Sequence, residues 1–417
     1  MNSKRIASTI VLSLIVLAAG LSPTQGAPLW TQVDVLRNGV DGLTSLDGVY
    51  DLVISADGQY AYTASYNSSA VTVFSRDQAT GALSQQQVLT NNVSGVSGIG
   101  ATRALRLSPD GKFLYAAGTT DNAIAILDRN TANGQLTFLS SYTNGGALNG
   151  LSAANALNIS NDGKFVYASS ETNHSLSTFA RDATSGALSF VETLKDGVGP
   201  TSTLNTIRSF TISNDDRFLY APARDDNDLT QFVRDPLTGK LTVAQVLTGS
   251  PNFNGPTHIS FSPDGLHAYV ASQLGDSLSL FDVDSLSGNL SHQTTYFDNV
   301  GGFNYLNHAE DIVVTADGQF VIVTATIDNA MSIYLRDPVT GELTVHQEFR
   351  DGVAGIDGLF RARELYLSPD QRFLYVMSAE EHTISIFAVP EPATRWLAGI
   401  GMIAVALVAR FRTKRSK

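Results

Sequence analysis

The sequence predicts an all-β fold, a seven-bladed β-propeller closed by pairing the N-terminal strand with the last blade. Two observations predict it. A phrase of Ser or Thr, any residue, Asp, usually Gly, then an aromatic or apolar run recurs at Asp57, Asp110, Asp162, Asp215, Asp264, Asp317 and Asp370. Successive aspartates lie 49–53 residues apart, a spacing of four-stranded blades; helical solenoids have shorter periods and a 3.6-residue apolar repeat. The second observation is that the repeat is incomplete at one end of the chain and carries a spare strand at the other.

Within a unit the strands follow in order. In the second, Ala104–Leu107 is a first strand, Ser108-Pro109-Asp110-Gly111 a turn, Phe113–Ala117 a second strand and Ala123–Leu127 a third. Each run alternates β-branched or aromatic residues and is bounded by turn formers. The third and fourth strands are joined by another repeated phrase: Arg76-Asp77 with Thr80-Gly81, Arg181-Asp182 with Ser185-Gly186, Arg234-Asp235 with Thr238-Gly239, and Arg336-Asp337 with Thr340-Gly341. The glycine supplies positive φ and the aspartate bonds turn amides, so these Arg and Asp residues read as structural. The acidic run Asp225-Asp226-Asn227-Asp228 falls where other units have Asp121-Asn122 and Asp328-Asn329, a turn position with added charge rather than a calcium loop.

The seventh unit ends with its third strand, Thr383–Phe387, directly before Val389-Pro390. Leu29–Leu36 resembles the fourth strand of the first unit, Leu83–Leu89. Circular closure accounts for both and leaves only short, protected edges. The expected domains are a signal peptide over 1–26, the propeller over 27–389 and a sorting segment over 390–417.

The ends read as addresses. Lys4 and Arg5, an apolar run from Ile6 to Leu21, and small residues before Ala27 make a secretory signal peptide, with an uncleaved anchor as the alternative. The other end has Pro390-Glu391-Pro392, an apolar stretch from Trp396 to Ala409, then Arg410, Arg412, Lys414, Arg415 and Lys417. In all three parts it resembles the PEP-CTERM sorting signal of Gram-negative bacteria. The resemblance implies a precursor tethered in the inner membrane, cut by an exosortase-type peptidase, and released to the cell surface or an extracellular polysaccharide matrix. A permanent C-terminal anchor is the alternative.

Composition narrows the function classes. The 417 residues include no cysteine, which excludes disulfides and thiol chemistry. The net charge of −12 conceals a more acidic body: residues 27–390 hold 19 basic and 38 acidic side chains, a net of −19. Such a body repels nucleic acid, and aromatic–basic interleaving is absent. Dispersed histidines give no metal-binding motif, so no cofactor or metal is expected from sequence.

The first strands of a propeller line its central channel, so the residues opening them form the natural ligand zone. Six and seven positions before each repeat aspartate lie Tyr50, Asp51, Arg103, Asn155, Arg208, His258, Glu310, Asp311, Arg363 and Glu364. His258, Glu310 and Arg208 are candidate catalytic residues; Arg103, Asp51 and Arg363 are candidate ligand contacts. A wet channel with charges paired across the ring is the plainer alternative.

Ser108-Pro109-Asp110-Gly111-Lys112-Phe113-Leu114-Tyr115 and the Arg-Asp-x-x-Thr/Ser-Gly-x-Leu hairpins resemble the lactonase family of seven-bladed propellers, which includes one type of 6-phosphogluconolactonase. That resemblance implies Gly-Pro-Arg-His in the fifth blade and a later strand ending in Glu. Here Gly255-Pro256-Thr257-His258 keeps the histidine but replaces the arginine, and Gln273 stands where the glutamate is expected. The expected His-Pro-His of the preceding blade is Thr206-Ile207-Arg208. The balance therefore favours an exported binding module, with a polysaccharide or small polar ligand as partner, over an enzyme. The alternative is an extracellular lactonase-type hydrolase using the axial residues.

Overall fold

The structure, a computed structural model, describes residues 29–145, 149–199, 201–249 and 253–390. All regular elements among them are strands, arranged in seven four-stranded antiparallel sheets. Six sheets run in chain order. The seventh places Thr31–Arg37 beside Thr383–Ala388, with Thr31 opposite Ala388 and Arg37 opposite Thr383. The expected closure is therefore present, with the N-terminal strand starting two residues later than the sequence pattern suggested.

First strands of neighbouring blades touch one another around the axis, the short one of the fourth blade meeting the fifth through the Thr211 hydroxyl and the Ile259 carbonyl. They are Val49–Ile54, Thr102–Leu107, Ala154–Ile159, Thr211–Ile212, Pro256–Phe261, Ala309–Val314 and Glu364–Leu367. Second strands such as Phe113–Gly118 and Phe320–Ala325 are buried along their whole length. Fourth strands alternate between half-buried and exposed positions, as an outer strand with one solvated face must. Apolar clusters lie between adjacent blades; one joins Tyr62 and Val71 of the first to Leu105 and Leu127 of the second.

The hairpin arginines clamp one blade to the next. Arg76, its side chain fully buried, donates from Nε to the Tyr375 hydroxyl (2.7 Å), from Nη1 to the Gly58 carbonyl (3.0 Å) and from Nη2 to Asp370 (3.1 Å). Tyr375 in turn donates to the Gly81 carbonyl at 2.7 Å. Arg181 repeats the arrangement with Tyr115, Gly163 and Asp110, and Arg336 with Tyr269, Gly318 and Asp264. These three buried guanidinium groups persist because each of their nitrogens finds an acceptor, one of them a carboxylate. Burial opposes ionisation of Asp264, but hydrogen bonds from Ser262, the Leu266 amide and Arg336 outweigh it and hold the carboxyl at about 2. Gly81 has φ +79, and a Cβ there would meet Phe373 Cδ1 at 2.6 Å, so the glycine serves both turn and blade contact.

Residues 225–227 of the acidic run form a turn, and Asp228 opens the strand Asp228–Arg234. Asp226 accepts the Asn205 amide (2.8 Å), as Asp121 accepts that of Gly100 and Asp328 that of Asn307. Among the described residues no helix is long and apolar enough to cross a membrane. The segment expected to be a signal peptide, Glu391, Pro392 and the rest of the expected sorting segment lie outside the described residues; Pro390 is the last of them.

Candidate functional site

Five of the seven first strands open with a bulge, which helps to gather the axial residues. The ladder skips between Val49 and Asp51, Thr102 and Ala104, Ala154 and Ala156, Pro256 and His258, and Ala309 and Ile312. An extra residue in a strand bends it and re-aims side chains. Tyr50, Arg103, Asn155 and Glu310 occupy these positions and line the smaller axial cavity, and the successors of Tyr50 and Glu310, Asp51 and Asp311, line the wider one.

Two cavities share the axis. A smaller one of about 130 Å³ is lined by Tyr50, Arg103, Asn155, Arg208, His258, Glu310, Arg363 and Glu364. A wider one of about 690 Å³ opens toward the Ser-x-Asp turns and includes Asp51, Arg106, His258, Asp311 and Glu364. His258 and Glu364 border both. A larger cavity of about 840 Å³ lies off the axis among hairpin and turn residues such as Thr80, Asp317 and Gln371; no comparable set of charges converges there.

Of the residues singled out from sequence, His258, Glu310, Arg208, Arg103 and Arg363 therefore meet in one pocket. Glu310 is buried and accepts from Arg208 Nη1 at 3.2 Å, Arg363 Nη1 at 3.3 Å and Gln273 Nε2 at 2.6 Å. Arg103 pairs with Glu171 at 2.6 Å and lies 5.2 Å from the centre of the Tyr50 ring, which Arg363 approaches at 5.7 Å. The buried Nε–H groups of Arg103, Arg208 and Arg363 have no acceptor among the described residues. Three guanidinium groups with donors to spare, two of them sharing the central Glu310 and the third paired with Glu171, suit an anionic or oxygen-rich ligand.

Asp51 stands apart from that pocket. It accepts the Leu52 and Leu105 amides and pairs with Arg106 at 3.0 Å. Asp311 repeats this arrangement one blade before the ring closes, accepting the Ile312 and Leu365 amides at 2.7 and 2.8 Å. Its neighbours are His258 Nε2 at 3.7 Å and, beyond the imidazole, Glu364, whose Oε1 is 3.6 Å from the same nitrogen. Burial pushes the carboxyls of Asp51 and Asp311 above the usual range. Burial also pushes up Glu364, reinforced by the charges of Asp311, Asp51 and Glu310, and it rises well above the usual glutamate value.

Sequence reasoning named Asp311 and Glu364 as channel positions without a role, and it missed a further ring. Nine residues after each repeat aspartate stand Tyr66, Thr119, Glu171, Arg224, Gln273, Thr326 and Ala379. Three of these hold the pocket: Glu171 pairs with Arg103, Arg224 bonds Gln273, and Gln273 bonds Glu310. The repeat phase was the available signal. Gln273, read from sequence as a lost carboxylate, is a hydrogen-bond donor that fixes Glu310, and Thr257 donates to the Glu310 carbonyl at 2.8 Å.

Seven blades closed by the N-terminal strand, with ionisable residues converging on the axis, define a β-propeller with a polar axial site. The chain belongs to the lactonase family: the profile described as "Lactonase, 7-bladed beta-propeller" matches residues 44–148, 140–253 and 247–397. A 6-phosphogluconolactonase of Klebsiella pneumoniae is 24% identical over 343 residues, 79% of this chain and 91% of that one. One from Pectobacterium atrosepticum is 26% identical over 159 residues, 37% of this chain and less than half, 46%, of that relative. The structure of the Pseudomonas aeruginosa periplasmic gluconolactonase PpgL superposes with a TM-score of 0.64 at 20% identity, covering 82% of this chain and 92% of that one. That likeness concerns the fold.

Proposed function

We propose that the protein is an exported lactone hydrolase whose axial pocket takes a polar, acid-bearing lactone such as that of a sugar acid. The observation that carries this reading is the convergence of Arg103, Arg208 and Arg363 on the cavity bordered by His258 and Glu364. The arginines would hold the substrate's anionic group and the oxyanion that develops when water adds to the ester carbonyl. Water would be activated at the floor of the pocket, where His258 and Glu364 are the ionisable groups. Relatives bearing lactonase names support the reaction class.

A binding module without turnover is the second reading, favoured because Glu310 is already occupied by two arginines and Gln273 and is no free base. A panel of lactones presented to the purified full-length protein separates the two. Hydrolysis that falls at least about 100-fold in His258→Ala is expected. Absence of turnover, with a thermal shift from sugar acids that disappears in Arg208→Ala, would establish the binding module instead.

The export route is part of the proposal and rests on the two ends of the sequence. Released protein is expected to lack residues 1–26 and the chain beyond the Pro390-Glu391-Pro392 region, as intact mass would show. An intact C-terminus on released protein, or a genome without an exosortase-type peptidase, would rule out sorting by that signal.

A further inference from the structure

We propose that His258, Asp311 and Glu364 bind one divalent transition-metal ion, of the zinc or manganese class, on the propeller axis. The three side chains come from the same ring position of the fifth, sixth and seventh blades, each six residues before its repeat aspartate. Each offers one ligand atom, and the three atoms lie within 4.8 Å of one another.

The imidazole is the decisive member. His258 is 8% exposed, its Nδ1 is buried without a hydrogen-bond partner, and its Nε2 faces both carboxylates. At 3.7 and 3.6 Å these contacts are too long for hydrogen bonds. They lie at or just beyond the separation of two atoms bound to one ion: tetrahedral bonds of about 2.0–2.2 Å place ligands about 3.3–3.6 Å apart. A buried imidazole held between two carboxylates yet bonded to neither is better explained as a ligand set than as a hydrogen-bonded core group.

Comparison within the ring shows which charge is needed. Asp51 and Asp311 are held alike, each by its successor's amide and by an amide of the next blade. Asp51 has a counter-cation from this chain, Arg106 at 3.0 Å. The residue of the seventh blade that corresponds to Arg106 is the uncharged Tyr366, and Glu364 brings a second acid to His258 beside Asp311, so a bound cation would supply the opposite charge. The amides that fix Asp311 act as the outer-shell partners that orient metal ligands.

One imidazole and two carboxylates suit zinc or manganese better than a thiophilic ion. Three protein ligands leave a position for water, as hydrolytic sites require. In the hydrolase proposed above, and only if that reading holds, this water would be the nucleophile, facing the arginines across the small cavity.

Chelator-stripped full-length protein titrated calorimetrically with Zn²⁺ and Mn²⁺ tests the site. One equivalent is expected to bind, with affinity weakened more than about 100-fold in His258→Ala, beyond the loss typical of an outer-shell partner. Glu364→Gln, nearly isosteric, should act in the same direction, and melting of the stripped variants shows whether each is folded. Asp225→Asn should bind as the parent does. No binding to the stripped parent, or equal binding in folded His258→Ala and Glu364→Gln, as a surface group such as Asp351, Asp357 and Glu381 would give, overturns the site. Metal binding without lactone turnover leaves the site standing and removes the hydrolase; turnover in stripped protein that binds no metal does the reverse.

Discussion

Deleting residues 29–37 is expected to leave the protein unable to form a soluble, cooperatively melting propeller. The strand Thr31–Arg37 is the outer member of the seventh sheet, and without it the edge of Thr383–Ala388 is bare. An unpaired apolar edge of that kind templates pairing with other chains. Trp30, just before the strand, is 1% exposed, meets the Phe320 ring edge-on at 5.7 Å, and is held by Gln347 through both backbone groups at 2.9 and 3.0 Å. Leu36 packs in the cluster of Leu46, Phe74 and Ile384 that seals the seventh blade against the first.

Trp30→Ala alone should cost roughly 3–5 kcal/mol from lost burial and the void left behind. For a domain of this size that is about 4–7 °C in Tm. The deletion removes Trp30, Leu36 and the strand's hydrogen bonds together, a sum comparable to the whole stability of about 5–15 kcal/mol. Expression of the deleted and Trp30→Ala chains, followed by gel filtration and thermal melts, checks both. A deleted chain that stays monomeric and melts within a few degrees of the parent would show that the seventh blade needs only three strands.

The architecture was legible because a propeller writes its plan in one dimension. Turn chemistry around Asp57 and its six counterparts, and the missing last strand, determined blade number and closure without knowledge of a single contact. The axis was legible to the level of position: counting back from the repeat aspartates identified Arg208, His258, Glu310 and Arg363. Which charges face one another was not legible, because this depends on bulges that turn neighbouring residues inward and on a ring that closes residue 51 toward residue 364. Thus Asp51 and Asp311 look alike in sequence and are held alike by amides, yet Arg106 neutralises one and His258 faces the other. The ring nine residues after each repeat aspartate was within reach of the same counting. Its members are chemically unlike, Glu171, Arg224 and Gln273 among them, so residue type alone did not mark it.

Glu310→Gln is expected to tighten binding of a sugar-acid product by about tenfold, while Arg363→Ala weakens it more than about 100-fold. The two variants act on one balance. Glu310 shares a single oxygen, Oε1, between Arg208 and Arg363, so in the free protein it competes for the guanidinium groups that an anionic ligand would use. Removing its charge while keeping its shape leaves both cations facing the cavity. Charge pairs at about 4 Å are worth roughly 1–4 kcal/mol between the limits of water and a protein surface, and a tenfold gain lies near the lower end. Arg363→Ala instead removes a ligand donor and leaves buried Glu310 with Arg208 and Gln273 as partners. Loss of a charged, hydrogen-bonded contact of this kind costs about 2–5 kcal/mol. Calorimetric titration of a stable aldonate into both variants reads the signs directly, with melting curves confirming that each is folded. Weaker binding in Glu310→Gln would reverse the assignment: the carboxylate would then be an acceptor for ligand hydroxyls, and the arginines would serve to hold it ionised.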